Sequence, residues 1–211
     1  MGILERKERE KEQRRNDIID AAERVFLKKG FENATVDHVA EEAELSKGTV
    51  YLYFNSKEEL HFAINLRGME ILNSLIQQAY NPDKDAIANL EIMGMIFIRF
   101  AEEHQIFFSA MLHFESKSLE NIDKSLTNRL LEDGSPIPFL VKLIDRGKKE
   151  GTIREDLNSH LIVKLLWSQI MGVLQFIFYK KTILEMFKVT PDEVLSGLFE
   201  ILKNGVRKSI S

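Results

Sequence analysis

"FLKKGFENATVDHVAEEAELSKGTVYLYFNSKEEL", Phe26 to Leu60, is the stretch whose reading decides the fold. Upstream of it, Ile18, Ile19, Ala22, Val25 and Phe26 fall at helical spacing and form one apolar stripe. Gly30 is placed to end that helix, because glycine takes the left-handed cap conformation without strain. Thr35 then reads as the N-cap of "VDHVAEEA", with Asp37 in the first turn favoured by the helix dipole. Val36, Val39, Ala40 and Ala43 make the buried side of that helix. Ser46 caps a third, very short helix, "KGTVYLYF". Ser56 with Glu59 three residues on is a capping box that opens a fourth. Three closely spaced helices, with only a short turn between the second and third, outline a helix-turn-helix.

The third helix carries an unusual mixture. Tyr51, Tyr53 and Phe54 lie between Lys47 and Lys57, and Gly48 sits near the start. A helix N-terminus presents unpaired N–H groups and a partial positive charge, which suits phosphate. Gly48 lets a DNA backbone or base edge come close. Lys47 occupies the first turn, where a recognition helix meets the major groove. Thr49 can donate, accept, or touch a thymine methyl. Tyr51 can offer its ring to a thymine methyl or its hydroxyl to a phosphate, and Tyr53 and Lys57 can reach phosphates. Val50 and Phe54, four apart, point inward. Taken singly, tyrosines at this spacing are as often half-buried core, and lysines are usually solvated. The combination makes sense if one face is core and the other meets DNA.

The whole string resembles the N-terminal DNA-binding domain of the TetR family of bacterial regulators. The matching positions include Phe26, Gly30, Phe31, Thr35, Val39, Ala40, Ala43, Ser46, Gly48, Thr49, Tyr51, Tyr53, Phe54, Lys57, Glu58 and Leu60. The resemblance implies that Thr35 contacts phosphate from the start of the second helix. It implies that Ser46, Lys47, Gly48, Thr49 and Tyr51 face the groove, that Leu52 touches bases or sugar, and that Tyr53 and Lys57 clamp the backbone. One position departs from the pattern. The family commonly has glycine in the turn where this chain has Glu44, and a non-glycine residue in a left-handed turn costs roughly 1 kcal/mol.

Composition bounds the alternatives. The chain has 211 residues, 44% hydrophobic and 29% charged, with a net charge of −4. A basic surface must therefore be local. With no cysteine, disulfides, thiolate zinc sites and cysteine nucleophiles are excluded, and a reducing cytoplasm is compatible. "MGILERKEREKEQRR" lacks an apolar signal core, so export is not expected and a cytoplasmic protein is. Its Arg6, Lys7, Arg9, Lys11, Arg14 and Arg15 outnumber Glu8, Glu10 and Glu12. The segment reads as a solvated arm or an ion-paired, frayed helix start, with added DNA-backbone contact as the second reading.

All four prolines (Pro82, Pro136, Pro138, Pro191) fall where apolar periodicity breaks, and β-branched alternation is absent. The fold class is all-α: a three-helix DNA-binding domain followed by a larger helical ligand-binding and dimerisation domain. The boundaries are a flexible arm over 1–15, the helix-turn-helix domain over 16–60 and the second domain over 61–211. Helices are expected near 58–79, 85–104, 105–116, 121–132, 137–150, 158–181 and 191–208. "LIVKLLWSQIMGVLQFIFY", Leu161 to Tyr179, is nearly long enough to cross a bilayer. Lys164, Ser168, Gln169 and Gln175 make a helix buried by protein the better reading, shared between its own domain and a second copy. No membrane partner is expected. A homodimer built from the last two helices is, with Trp167, Leu174, Phe178, Leu198 and Leu202 as interface candidates.

Residues 92–115 are rich in large, adaptable side chains, most often plain core. In the resembling family such residues also line a ligand cavity between the middle helices. The expected effector is apolar or amphipathic, met by Phe97, Phe100, Phe107, Met111, Phe114 and Met171, with Arg99, His104 and His113 as possible polar handles. No phosphate loop, nucleophile elbow or two-histidine zinc motif occurs, and the five histidines show no i, i+4 pair. No metal, cofactor or catalytic residue is expected. The reading is a ligand-responsive regulator, a repressor by preference, binding palindromic operator DNA as a homodimer. An activator of the same fold, an all-helical enzyme and an interaction module are the alternatives.

Overall fold

The computed structural model describes residues 2–114, 122, 124–131 and 134–208. Among these, every regular element is a helix, and the one β-type pairing is an isolated bridge between Ile153 and Arg207. The chain groups into two compact units. One comprises Met1–Met69 with His104–Leu130, the other Glu70–Glu103 with Leu131–Ser211.

The first unit is built on α1 (Ile3–Asn33), α2 (Val36–Glu42), α3 (Lys47–Tyr51) and the start of α4 (Lys57–Ala79). Of the two readings of residues 1–15, a flexible arm or a helix start, the second holds from Ile3 onward, where the chain is continuous with α1; an Arg6–Glu10 ion pair at 2.8 Å is one turn of that exposed stretch. Gly30 breaks the helical geometry as expected, with φ 73° and ψ 159°, and one further turn follows to Asn33. Ile18, Ile19, Ala22, Val25, Val39, Val50, Phe54 and Leu60 are all buried. Burying each of the larger side chains here, Ala22 apart, contributes about 1.5–3 kcal/mol.

Both local caps form. Thr35 Oγ1 accepts from His38 N at 3.2 Å, and Ser46 Oγ accepts from Thr49 N at 3.1 Å. At α4, Ser56 Oγ accepts from Glu59 N at 3.1 Å. The Glu59 carboxylate, however, serves Asn55, accepting from its N at 2.6 Å and its Nδ2 at 2.9 Å. The box therefore closes one residue earlier than the sequence pattern implies.

The α2–α3 turn is a Schellman closure: Leu45 N donates to Ala40 O at 2.8 Å, with Glu44 in the left-handed region at φ 55°. Glu44 is exposed, so nothing but the turn holds it there. Glu44→Gly is expected to raise stability by about 1 kcal/mol, a gain of ~2–4 °C in Tm. A melting temperature at or below the parent's would contradict this account of the turn.

The segment 104–130, expected in the second domain, packs in the first unit. Its helices are α6 (Gln105–Leu112) and α7 (Lys124–Leu131). Phe62 and Leu66 of α4 form a buried cluster with Ile122 and Leu126, and Phe114 packs against it. Gly68 makes the approach of α6 possible: a Cβ there would lie 2.6 Å from Phe107 Cβ. Arg67 ties α4 to α1 through Asp20 and Glu23.

The second unit contains the end of α4, α5 (Ala86–Glu103), α8 (Ile137–Lys149), α9 (Ser159–Tyr179), α10 (Lys181–Phe187) and α11 (Pro191–Val206). The helix expected over 158–181 is α9, and the short α10 that follows Lys180 was not expected. Asn89 is fully buried, yet its Nδ2 finds the carbonyls of Asn81, Lys84 and Asp85. Gly147 lets Ala86 and Ile153 close on α8, each within 2.6 Å of where a Cβ would stand.

Candidate nucleic-acid interface and ligand cavity

The chain presents Thr35, Ser46, Lys47, Gly48, Tyr51 and Leu52 as exposed residues around the α2–α3 turn, with Thr49 and Tyr53 half-buried. Leu52 is 79% exposed, an unusual state for a leucine beside a core. A Cβ on Gly48 would meet only Ser46 Oγ, at 3.8 Å. No packing among the described residues therefore requires glycine at this position. Ser46 Oγ and Thr49 Oγ1 are hydrogen-bonded at 2.8 Å at the start of α3. Lys47 Nζ donates to Asp37 Oδ2 at 2.8 Å, and this bond holds its ammonium pKa above the usual lysine value. The charge at the helix start is thereby locked on, and Asp37 orients it. Sequence reading placed Asp37 as a dipole partner and missed this pairing.

Lys57 differs from its expected role. Its ammonium donates to the carbonyls of Phe31 at 2.9 Å and Glu32 at 3.3 Å, and sits 4.4 Å from the centre of the Phe31 ring. It caps the end of α1 across 26 residues of chain. Two of its three donors are used internally, so it positions the module before it can clamp a phosphate. Arg15 was likewise assigned to the arm. Its guanidinium lies 4.8 Å over the Phe54 ring, and burial lowers its pKa.

The second unit holds a cavity of about 90 Å³ between α5, α9 and α11. Phe97 lines it, stacked on Trp167 at 4.8 Å and 15°. The other expected ligand residues lie elsewhere. Phe100 is 1% exposed and packed away. Phe107 and Met111 close on Gly68, and Phe114 stands 5.4 Å from Phe62, all within the first unit. Met171 is half-buried and not part of the lining. Among the expected polar handles, Arg99 is exposed and paired with Glu103, while His104 and His113 belong to the first unit.

The interface candidates fall in differing surroundings within the chain. Trp167 and Leu202 line the cavity. Leu174 and Leu198 are 1% and 8% exposed within the chain itself, so neither offers a surface to a partner. Phe178 is half-buried. The apolar surface α9 leaves open is a different stripe, Leu161, Leu165, Phe176 and Tyr179, which the helical period brings to one side. Gly172 lies on the same stripe with nothing near its Cβ position. Only 22% of the apolar window of α9 is buried by the chain.

A tight helix pair, capped and core-locked on one side and open on the other, defines a helix-turn-helix protein. Residues 18–64 match the model of the bacterial regulatory proteins of the tetR family. The chain thus matches the DNA-binding domain of that family in its N-terminal segment. It is 45% identical over 60 residues to the uncharacterized HTH-type transcriptional regulator YfiR of Bacillus subtilis, an alignment spanning 28% of this chain and 29% of that protein. It is 25% identical over 157 residues to the fatty acid metabolism regulator protein of the same organism, covering 72% of this chain and 77% of the relative. A crystal structure of a TetR-family regulator from Shewanella sp. PV-4 matches with a TM-score of 0.71 at 19% identity, over 92% of this chain and 98% of that one. These relatives are transcriptional regulators rather than enzymes.

Proposed function

We propose that the protein is a homodimeric transcriptional repressor that binds a palindromic operator and is released by an apolar or amphipathic effector. The observation that carries the DNA reading is the open Ser46–Leu52 face, with a glycine that no packing among the described residues requires. In this reading Thr35 and Tyr53 hold the backbone, while Ser46, Lys47, Gly48, Thr49, Tyr51 and Leu52 meet the groove. Lys57 keeps the module in shape and lends its remaining donor to a phosphate. Repression requires only occupancy of a promoter.

A second copy covers the α9 stripe. Apolar surface of this extent is buried in stable proteins, and two-fold pairing buries it on both copies at once. Ile201 on α11 is a further exposed apolar side chain, at 67%. The double variant Leu165→Glu, Ile201→Glu is expected to sediment as a monomer, because it puts charge into the covered seam without touching the cavity lining. A dimer of unchanged stability would place the interface elsewhere.

The effector occupies the cavity lined by Phe97 and Trp167, and the relative named a fatty acid metabolism regulator supports an acyl compound as its class. α4 runs unbroken from Lys57 to Ala79, through the last residues of one unit and the first of the other. A ligand that prefers one setting of α4 changes the separation of the two recognition helices, which must enter successive major grooves about 34 Å apart. Coupling of this kind is typically ~1–3 kcal/mol, and operator must weaken ligand binding by the same factor. The test is selection from random DNA, repeated with acyl compounds present. The proposal predicts a palindrome whose retention falls as the compound is added. Recovery of no enriched sequence would reject the regulator reading.

A further inference from the structure

The cavity is apolar except at one place. Glu91 of α5 and Lys203 of α11 both line it, joined by an ion pair of 2.8 Å. Their side chains are 40% and 33% exposed. The pair therefore stands where the cavity meets solvent. One turn of α5 further on, Gly94 receives the ring of Phe199, which lies 2.5 Å from where a Cβ would be. Phe199 also lines the cavity. The α5–α11 seam thus has two rungs, an ionic one at the mouth and an aromatic one seated on a glycine.

We propose that the cavity takes a carboxylate-terminated alkyl chain, whose head replaces Glu91 on Lys203 and whose chain replaces the Phe199 ring over Gly94. This rests on the reading of the cavity as the effector site. Three physical points favour it. An apolar chain gains by leaving water only if its head keeps a partner, and Lys203 is the cation lining this cavity. Exchange of one carboxylate for another on Lys203 conserves the charge-assisted bond, while the released Glu91 is exposed enough to be hydrated. Sites that enclose a whole ligand measure ~300–1,000 Å³, so a space of about 90 Å³ must open. The Phe199 ring is the wall whose removal leaves a backbone-lined groove rather than a clash, because position 94 carries no side chain.

The ligand probes are decanoate, decan-1-ol and decylamine, titrated by calorimetry into the full chain and its Lys203→Gln and Glu91→Gln variants. Decanol reports the cavity alone; the difference between decanoate and decanol reports the head group. Lys203→Gln is expected to weaken decanoate about tenfold, the value of one charge-assisted bond, and to leave decanol unchanged. Glu91→Gln is expected to strengthen decanoate, because the competing carboxylate is gone. If decanol binds but decanoate responds to neither variant, the head-group assignment is overturned and the cavity reading stands. Preference for decylamine, lost in Glu91→Gln, overturns it in the opposite sense. Failure of all three probes to bind overturns the effector-site reading together with this proposal. Thermal melts of both variants confirm that each is folded, as partly exposed positions allow.

Discussion

Phe54→Ala is expected to lower the stability of the first unit by about 3–5 kcal/mol and to abolish operator binding. The ring is 1% exposed, and the Arg15 guanidinium lies over its face at 4.8 Å. Val50, one turn earlier, is fully buried beside it in the chain. A five-residue helix has almost no stability of its own. It holds its shape because Val50 and Phe54 anchor it from below. Removing the ring leaves a cavity under the DNA-reading face and strips an apolar support from a half-buried cation. Denaturant unfolding followed by circular dichroism should show the loss directly. A loss of under ~1 kcal/mol would mean that α3 is supported by something other than this core.

Acidification is expected to weaken the first unit through His61, by about 3 kcal/mol between pH 6.5 and 4. His61 is 6% exposed and lies 4.3 Å from the Phe31 ring centre. Burial pushes its pKa down to about 4; His113 and Lys57 add to the fall, and Glu58 opposes it. In the unfolded chain the imidazole takes its proton near pH 6.5. The folded state holds it neutral until far lower pH. Stability is therefore complete above pH 6.5 and is lost as pH falls toward 4. Carboxylates titrate over the lower part of this window, so the measurement is a comparison. His61→Gln, which carries no proton, should flatten the dependence of stability on pH by up to ~1.4 kcal/mol per pH unit. Equal slopes in parent and variant would contradict the assignment. The consequence reaches the DNA module directly, because Phe31 is also the residue whose carbonyl and ring hold Lys57.

The helix-turn-helix was legible because its determinants are local. Thr35 and Ser46 cap helices that begin one residue later, and the left-handed Glu44 follows from turn spacing alone. Charge destinations were less legible. A lysine near a suspected DNA face reads as a phosphate ligand, and nothing within a few residues reveals that Lys57 caps a helix ending far upstream. The second unit was the least legible. α9 is apolar nearly all round, so periodicity could not say that Trp167 faces a cavity, Leu174 the core and Leu165 the outside. The placement of α6 turned on Gly68, and a glycine inside a helix does not announce which ring will occupy the space it leaves. A backward reading of such glycines, asking which aromatic each admits, is the signal that would have found Phe107 and Phe199.

The claim that the Ser46–Leu52 face reads DNA is tested most directly by repeating the selection from random DNA with Lys47→Ala and Thr49→Ala. Both side chains are outside the core, so the variants keep the fold. The account predicts enrichment of an altered half-site, with the parent palindrome losing ~1–3 kcal/mol for each base contact removed. Recovery of the parent palindrome by both variants, at parent affinity across the whole salt range, would contradict it.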